Sequence, residues 1–197
     1  MQDLTSSPLE AHAAMSAPSP WITRWSHLLP PGCAVLDVAC GSGRHLQWFA
    51  AHGHSVWGVD KDIDAARANV PEAQLLQADI ENGPWPLFTP QGPRRFGAVV
   101  VTNYLWRALL PTLLQSLAPG GLLLYETFAA GNETVGRPAR PDFLLQAGEL
   151  LRFCATLEVV AYEHGFLDNP PRYVQRIAAF APALPAPAGT EMPRHAL

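Results

Sequence analysis

The sequence has few cysteines and no long apolar run. Its three cysteines, Cys33, Cys40 and Cys154, are odd in number and lack the paired short spacings of zinc sites, so neither a disulfide framework nor a metal site is expected. No uninterrupted apolar stretch reaches the length of a membrane span, and the N-terminus has no basic start followed by an apolar run. We therefore expect a cytoplasmic protein with reduced thiols and no membrane association.

Positive charge is also scarce. Thirteen lysines and arginines stand against seventeen aspartates and glutamates, which gives a net charge of -4. No basic field attracts a polyanion, so duplex nucleic acid is a poor partner. Hydrophobic residues make up 48% of the 197 residues, which is typical of one packed domain and not of a disordered chain. A monomer or homodimer that acts on a small molecule fits this composition.

Residues 1–18 are rich in alanine, serine and proline, and residues 181–197 repeat the proline and alanine bias. This bias predicts flexible segments over residues 1–18 and 181–197, on either side of a single domain over 19–180. Within the domain, strand-like and helix-like segments alternate, which predicts a parallel sheet with crossover helices. Strands are predicted over 34–39, 55–59, 74–78, 96–102 and 121–128, with a closing antiparallel pair over 157–164 and 173–180. Helices are predicted over 44–52, 62–70, 107–117 and 142–154, and a loop over 81–95.

The strongest motif is VLDVACGSGR over residues 35–44, in which a buried strand leads into a glycine turn at the start of a helix. Gly41 and Gly43 let the backbone approach a ligand, and free N–H groups there favour an anionic part of it. Asp60 ends the second strand, where its carboxylate can accept hydrogen bonds from both hydroxyls of a ribose. We therefore predict an adenosine-containing cofactor, with Ala39 and Cys40 among its contacts.

Charge discriminates between the adenosine cofactors. Asp37 precedes Gly41 by four residues, and Leu46 stands where a dinucleotide fingerprint has glycine. A carboxylate suits a cation better than a pyrophosphate. S-adenosylmethionine carries an ammonium and a sulfonium that Asp37 can favour directly or through water, while N–H groups of the glycine turn can meet its carboxylate. A nucleotide-dependent oxidoreductase is the less favoured alternative.

These motifs resemble those of class I S-adenosylmethionine-dependent methyltransferases, since VLDVACGSGRH looks like their first motif and the aspartate of GVDKD like their second acid. The resemblance runs in order from Trp21 to Phe180 and is nearest to small bacterial stand-alone enzymes similar to tellurite-resistance-like methyltransferases. It implies a single Rossmann-like α/β/α domain with a mostly parallel seven-stranded sheet of order 3-2-1-4-5-7-6, strand 7 antiparallel. It also implies S-adenosyl-L-methionine as cofactor, S-adenosyl-L-homocysteine as product, and in-line transfer of a methyl group to a small-molecule acceptor.

The same resemblance extends the predicted cofactor site. Residues 78–80, which include Asp79 and Ile80, are similar to the segment that holds the adenine amino group. Residues 98–104, which include Asn103, are similar to the strand beside the methionine part of the cofactor. The stem of Lys61 is predicted to bracket the edge of the ribose or adenine.

Acceptor contacts are predicted from position, because ligands of open α/β sheets bind outside the carboxyl ends of the strands. Trp106 and Arg107 follow the fourth strand, Phe128 ends the fifth, and Arg137 lies in a polar loop beyond it. Tyr104 and Glu126 are the candidates for a catalytic base, should the acceptor need to lose a proton. Four arginines could meet an anionic acceptor, although solvated or paired side chains are the commoner outcome for any one of them: Arg137, Arg140, Arg172 and Arg176.

Another function remains compatible with the cofactor motifs. A protein that binds S-adenosylmethionine or S-adenosylhomocysteine without catalysis, and acts through a partner, would keep the same motifs, because fold and cofactor do not by themselves establish chemistry.

Overall fold

A computed structural model describes residues 15–184 of the chain. Nine strands are present in this part: β1 Ala34–Val38, β2 Ser55–Asp60, β3 Gln74–Gln77, β4 Phe88–Thr89, β5 Gly92–Pro93, β6 Phe96–Thr102, β7 Leu117–Phe128, β8 Glu158–Asp168 and β9 Pro171–Phe180. The α-helices are α1 Pro20–Trp25, α2 Arg44–Ala51, α3 Asp64–Asn69, α4 Leu110–Gln115 and α5 Glu149–Phe153, and 3-10 helices lie at Ser26–Leu28, Arg107–Leu109, Asn132–Thr134 and Pro141–Phe143.

Seven of the strands form one sheet in the order β3-β2-β1-β6-β7-β9-β8. Pairing is parallel from β3 to β7, and β9 runs antiparallel to both of its neighbours. Counted among the sheet strands alone, this is the predicted order 3-2-1-4-5-7-6 with an antiparallel strand 7. Because the parallel strands all end at one edge, the segments that follow them meet there.

Apolar side chains cover both faces of the sheet. On one face, Trp21 and Trp25 of α1 and Leu46 and Phe49 of α2 pack in a buried cluster with the sheet residue Leu124. The alternate residues of the same strands pack on the other face against α4 and α5. Strands buried on both sides read as continuous apolar runs, which is why the parallel strands were recognisable in the sequence.

The two helices on either side of β7 are shorter than predicted. The predicted helix over 142–154 forms only as Glu149–Phe153, because Gly148 adopts a left-handed conformation at φ 67 and begins it there. The predicted helix over 107–117 is a 3-10 turn followed by Leu110–Gln115, with Pro111 in its first turn. The predicted loop over 81–95 contains the two-stranded ribbon of β4 and β5.

The predicted flexible segments lie mostly outside the described residues. Of the N-terminal one, residues 15–18 are described, and the carbonyl of Ala17 accepts a hydrogen bond from the guanidinium of Arg44 at 3.3 Å. Between residues 15 and 184, no helix is both long enough and apolar enough to cross a bilayer. The same stretch holds no group of three histidine, cysteine, aspartate or glutamate side chains placed to bind a metal ion.

Candidate active site

Two adjoining hollows lie at the edge where the parallel strands end. The first, of about 340 Å³, is lined by Ala39, Asp60, Lys61, Ala78, Asp79, Ile80, Glu81, Asn82 and Tyr104. The second, of about 350 Å³, is lined by Ser16, Ala39, Cys40, Gly41, Ser42, Arg44, His45, Thr102, Asn103 and Tyr104. Ala39 and Tyr104 line both, so the two hollows form one crevice across the ends of β1, β2, β3 and β6.

The backbone at this crevice is unusually strained. Ala39 at φ 56 and Asn103 at φ 55 are the non-glycine residues with positive φ within residues 15–184, and both line the second hollow. Such conformations cost free energy and concentrate at functional sites. Gly43, at φ 83, precedes α2 and packs so closely that an added Cβ would lie 3.2 Å from a methyl carbon of Val70. The turn after β1 is therefore held in one tight shape.

The carboxylate of Asp60 is held in place by the backbone. Its Oδ2 accepts from the N–H of Gly41 at 2.8 Å, and its Oδ1 accepts from the N–H of Asp62 at 3.1 Å. Each carboxylate oxygen can accept a further hydrogen bond. Asp60 thus borders the first hollow with one lone pair free on each oxygen, which suits a pair of neighbouring hydroxyls.

The N–H groups of the glycine turn are largely used within the protein. The N–H of Gly41 binds Asp60, and the N–H of Gly43 donates to the carbonyl of Cys40 at 3.0 Å. These two N–H groups are therefore not free for a ligand carboxylate in the described conformation, and the predicted role of the turn's other N–H groups stays a prediction. The guanidinium of Arg44 is the cation that borders the second hollow instead.

Asp37 lies beneath the crevice without lining it. Its side chain is 1% exposed, and neither carboxylate oxygen has a hydrogen-bond partner within the described residues. Nδ1 of His45 lies 3.6 Å from Oδ2. Nε2 of His45 accepts from the N–H of Ser19 at 3.1 Å, so Nδ1, on the side of Asp37, is the ring nitrogen that carries a hydrogen. A buried carboxylate with unused acceptors calls for a cation or a water molecule.

Asp79 shapes the rim of the first hollow. One of its oxygens accepts from the N–H groups of Glu81 and Asn82, both at 3.1 Å, and the other accepts from the side-chain amide of Asn82 at 2.9 Å. The side-chain hydrogen bond from Asn82, followed by the two backbone donors, lowers the pKa of Asp79. The predicted contacts Lys61 and Ile80 line the same hollow.

Tyr104 and Cys40 border the crevice as uncharged groups. Burial, followed by the negative charge of Glu81, raises the pKa of the Tyr104 hydroxyl. Glu81 acts through its charge, since the hydroxyl makes no hydrogen bond of ordinary geometry with the described residues. Burial and the charges of Asp37 and Asp60 raise the pKa of the Cys40 thiol. Tyr104 is thus a poor base near neutral pH and a better donor, and Cys40 is a packing residue.

Glu126, the other candidate base, lies in an internal ion cluster. It is 1% exposed and lines neither hollow. Its two oxygens lie 3.4 Å from the guanidinium of Arg172 and 3.3 Å from that of Arg176, and the hydroxyl of Ser19 donates to it at 3.2 Å. Two guanidinium groups and a hydroxyl occupy the carboxylate away from both hollows, which argues against its predicted role as a base. Sequence reasoning missed the cluster, although Arg172 and Arg176 lie on one face of β9.

Arg107 acts as a structural clamp, although its side chain is 40% exposed. Its guanidinium donates to both carboxylate oxygens of Glu149, at 2.7 and 3.0 Å. It also donates to the carbonyls of Asp142 and Leu144, at 2.7 and 2.9 Å. With these partners the side chain has little capacity left for a ligand, which argues against the predicted substrate role. Trp106 lines none of the hollows and packs partly buried against the core.

A third hollow, of about 660 Å³, lies beyond the end of β7. It is lined by Phe128, Arg137, Pro138, Ala139, Arg140 and Phe143. Two residues predicted to contact an acceptor, Phe128 and Arg137, are therefore brought together there, nine positions apart in the chain.

The sequence of this chain is similar to those of known methyltransferases. A family model described as a methyltransferase domain matches residues 11–169. A trans-aconitate 2-methyltransferase of Delftia acidovorans is 26% identical over 152 residues, which cover 69% of this chain and 55% of that protein. The chain spans about half the length, or less, of the curated relatives it matches first.

Solved structures share the fold at lower identity. TehB from Haemophilus influenzae matches with a TM-score of 0.68 at 18% identity, over 85% of this chain and 63% of that one. An S-adenosylmethionine-dependent methyltransferase from Methanosarcina mazei matches with a TM-score of 0.65 at 15% identity, over 86% of this chain and 100% of that one.

Proposed function

Because the chain belongs to the methyltransferase domain family, whose Rossmann-like fold it has and whose cofactor is S-adenosylmethionine, we propose that it methylates a small-molecule acceptor. The observation that carries the proposal is the pair of hollows that adjoin at Ala39 and Tyr104. S-adenosylmethionine has an adenosine half and an amino-acid half, so one molecule can occupy both hollows.

The first hollow suits the adenosine half. We assign the ribose hydroxyls to the free acceptor positions of Asp60, which the N–H groups of Gly41 and Asp62 hold at the rim. The adenine is assigned to the wall formed by Lys61, Asp79 and Ile80.

The second hollow suits the amino-acid half. Arg44 supplies the positive charge for its carboxylate, because the N–H groups of Gly41 and Gly43 are occupied. Asp37 supplies negative charge from below, and its unpartnered oxygens fit the nearby ammonium through a bridging water molecule. The backbone of Ala39, Cys40 and Asn103 gives the hollow its shape.

Bound in this crevice, S-adenosylmethionine supplies a sulfonium-bound methyl group, which a lone pair of the acceptor takes in line to leave S-adenosylhomocysteine. The protein contributes by orientation and by exclusion of water. Tyr104 stands where the two hollows join and keeps its proton, so it acts as a hydrogen-bond donor. The buried, doubly paired Glu126 supports the sheet end from beneath.

A small acceptor is favoured over a macromolecule. The relative from Delftia acidovorans is named for a small tricarboxylate. The net charge of -4 gives no attraction for nucleic acid.

Calorimetric titration with S-adenosylmethionine, S-adenosylhomocysteine and NAD, at one pH and salt concentration, tests the cofactor. We expect micromolar binding of the first two and none of NAD; binding of NAD alone would favour an oxidoreductase. Mass spectrometry should then detect S-adenosylhomocysteine formed with a panel of small acceptors. Tight cofactor binding without turnover across that panel would favour a non-catalytic sensor.

A further inference from the structure

We propose that the third hollow holds the methyl acceptor, and that this acceptor is an apolar, ring-sized anion whose negative charge binds Arg137. The inference rests on the proposed function, because it places the acceptor beside the assigned cofactor crevice. It adds the chemical class of the molecule that is methylated.

Phe128, which lines the third hollow, lies near the crevice on the same face of the sheet as Thr102. Thr102 lines the second hollow and pairs in register with Glu126 of the neighbouring strand β7, and Phe128 follows two residues later. Paired residues of parallel strands, and residues two apart on one strand, point to the same face. The Cα atoms of Thr102 and Phe128 are separated by one strand spacing and by the rise of two residues, which together amount to about 8 Å. A molecule of one or two rings spans that distance.

The lining of the third hollow is mostly apolar. Phe128 and Phe143 supply two aromatic rings, and Pro138 and Ala139 complete the wall. Phe143 lies between the two carbonyls that Arg107 holds, at residues 142 and 144, so this wall is fixed by the clamp on Glu149. Rigid aromatic walls favour a flat apolar body as the occupant.

One cation at the hollow is uncompensated. Arg140 pairs with Asp142 at 2.9 Å and lies 5.1 Å from the ring centre of Phe143. Arg137, by contrast, makes no ion pair or hydrogen bond with any of residues 15–184. Asn132 donates to the carbonyl of the next residue, Pro138, at 3.0 Å and so ties the loop to the domain. A single free guanidinium beside apolar walls is complementary to an aromatic or aliphatic carboxylate.

Calorimetry with 2-naphthoate and its neutral analogue 2-naphthamide tests this inference on the full chain saturated with S-adenosylhomocysteine. We expect naphthoate to bind about tenfold tighter than naphthamide, as one charge-assisted hydrogen bond allows. Arg137→Gln should abolish that preference and Arg137→Lys should keep part of it. Arg67→Gln is the matched control, because Arg67 is an exposed arginine of α3 outside the hollow. The preference for naphthoate over naphthamide should be unchanged in this variant. Added salt should weaken naphthoate binding only.

The outcomes separate the two proposals. Binding of S-adenosylhomocysteine without saturable naphthoate binding, or a naphthoate preference that survives Arg137→Gln, would overturn the inference and leave the methyltransferase proposal standing. Failure of S-adenosylhomocysteine to bind, with naphthoate still bound, would contradict the proposed function, and with it the acceptor role of the hollow. Phe143→Ala should weaken both naphthalene probes, because it removes a wall and no charge.

Discussion

The hydroxyl of Ser19 donates a 3.2 Å hydrogen bond to the buried carboxylate of Glu126, across 107 positions of the chain. The same residue caps α1 by accepting from the N–H of Trp21, and its own N–H donates to His45. Ser16, three residues earlier, lines the second hollow. One serine thus joins the wall of the crevice to the sheet and to α2.

Ser19→Ala should lower the free energy of unfolding by about 1 to 2 kcal/mol, because it removes both a helix cap and a hydrogen bond to a charged group. Urea denaturation followed by circular dichroism measures this change. Thr23→Ala is the matched control: its exposed hydroxyl bonds only the carbonyl of Pro20, so its effect should be well below that of Ser19→Ala. Equal effects would show that the link from Ser19 to Glu126 contributes no stability.

Glu126→Gln should destabilise the protein by about 3 kcal/mol, because Arg172 and Arg176 would lose the buried charge between them. Glu163 also pairs with Arg176, but its side chain is 43% exposed, so Glu163→Gln should cost less than about 1 kcal/mol. Chemical denaturation compares the two. The pH profile of turnover should keep its shape in Glu126→Gln; loss of the acid limb of that profile, where a base becomes protonated, would restore Glu126 as the base.

Asp60→Ala should weaken binding of S-adenosylhomocysteine by roughly 10- to 100-fold, the equivalent of about 1.5 to 3 kcal/mol for hydrogen bonds to a charged group. Asp64→Ala removes a carboxylate of the same type that is exposed outside the hollows and pairs with Arg67, so its affinity should match that of the unaltered protein. Titration calorimetry measures both. An unchanged affinity in Asp60→Ala would contradict the ribose assignment.

The clamp between Arg107 and Glu149 should weaken in acid. Burial raises the pKa of Glu149, but the hydrogen bond from Arg107 and that from the N–H of Gln146 outweigh it, so the pKa lies below its ordinary 4.5. A depressed pKa means that the stabilisation is complete above the unfolded-state value and is lost as the pH falls through the folded-state value.

Melting temperatures between pH 7 and pH 3 check this prediction. The melting temperature of the unaltered protein should exceed that of Glu149→Gln by a constant difference down to about pH 5. This difference should disappear below pH 4.5. Arg107→Gln should show the same closure, and the double variant should lose little more than either single one, because the two residues act as a pair. A difference in melting temperature that stays constant to pH 3 would mean that the ion pair between Arg107 and Glu149 is not its cause.

Part of this molecule follows from local pattern. The sequence shows β1, β2 and β6 as apolar runs, because a strand buried on both faces accepts few polar residues. It shows the turn of residues 41–43 by its glycines, because a left-handed backbone favours glycine. Asp60 could be placed at the end of β2, close to the turn, for the same reason, since β2 ends at a short, regular spacing from the turn. The order of the sheet came from the resemblance of these motifs to class I methyltransferases.

Long-range pairing decided the rest. The sequence could not show three contacts: the N–H of Gly41 donates to Asp60, Arg107 pairs with Glu149, and Glu126 lies between Arg172 and Arg176. Each contact forms only when strands or loops that are distant in the chain come together. The sequence by itself determined which segments are the main strands and where the glycine turn lies, because backbone conformation is encoded locally. Only the tertiary structure decided which charges are buried in pairs, because a charge finds its partner through the packing of the whole sheet.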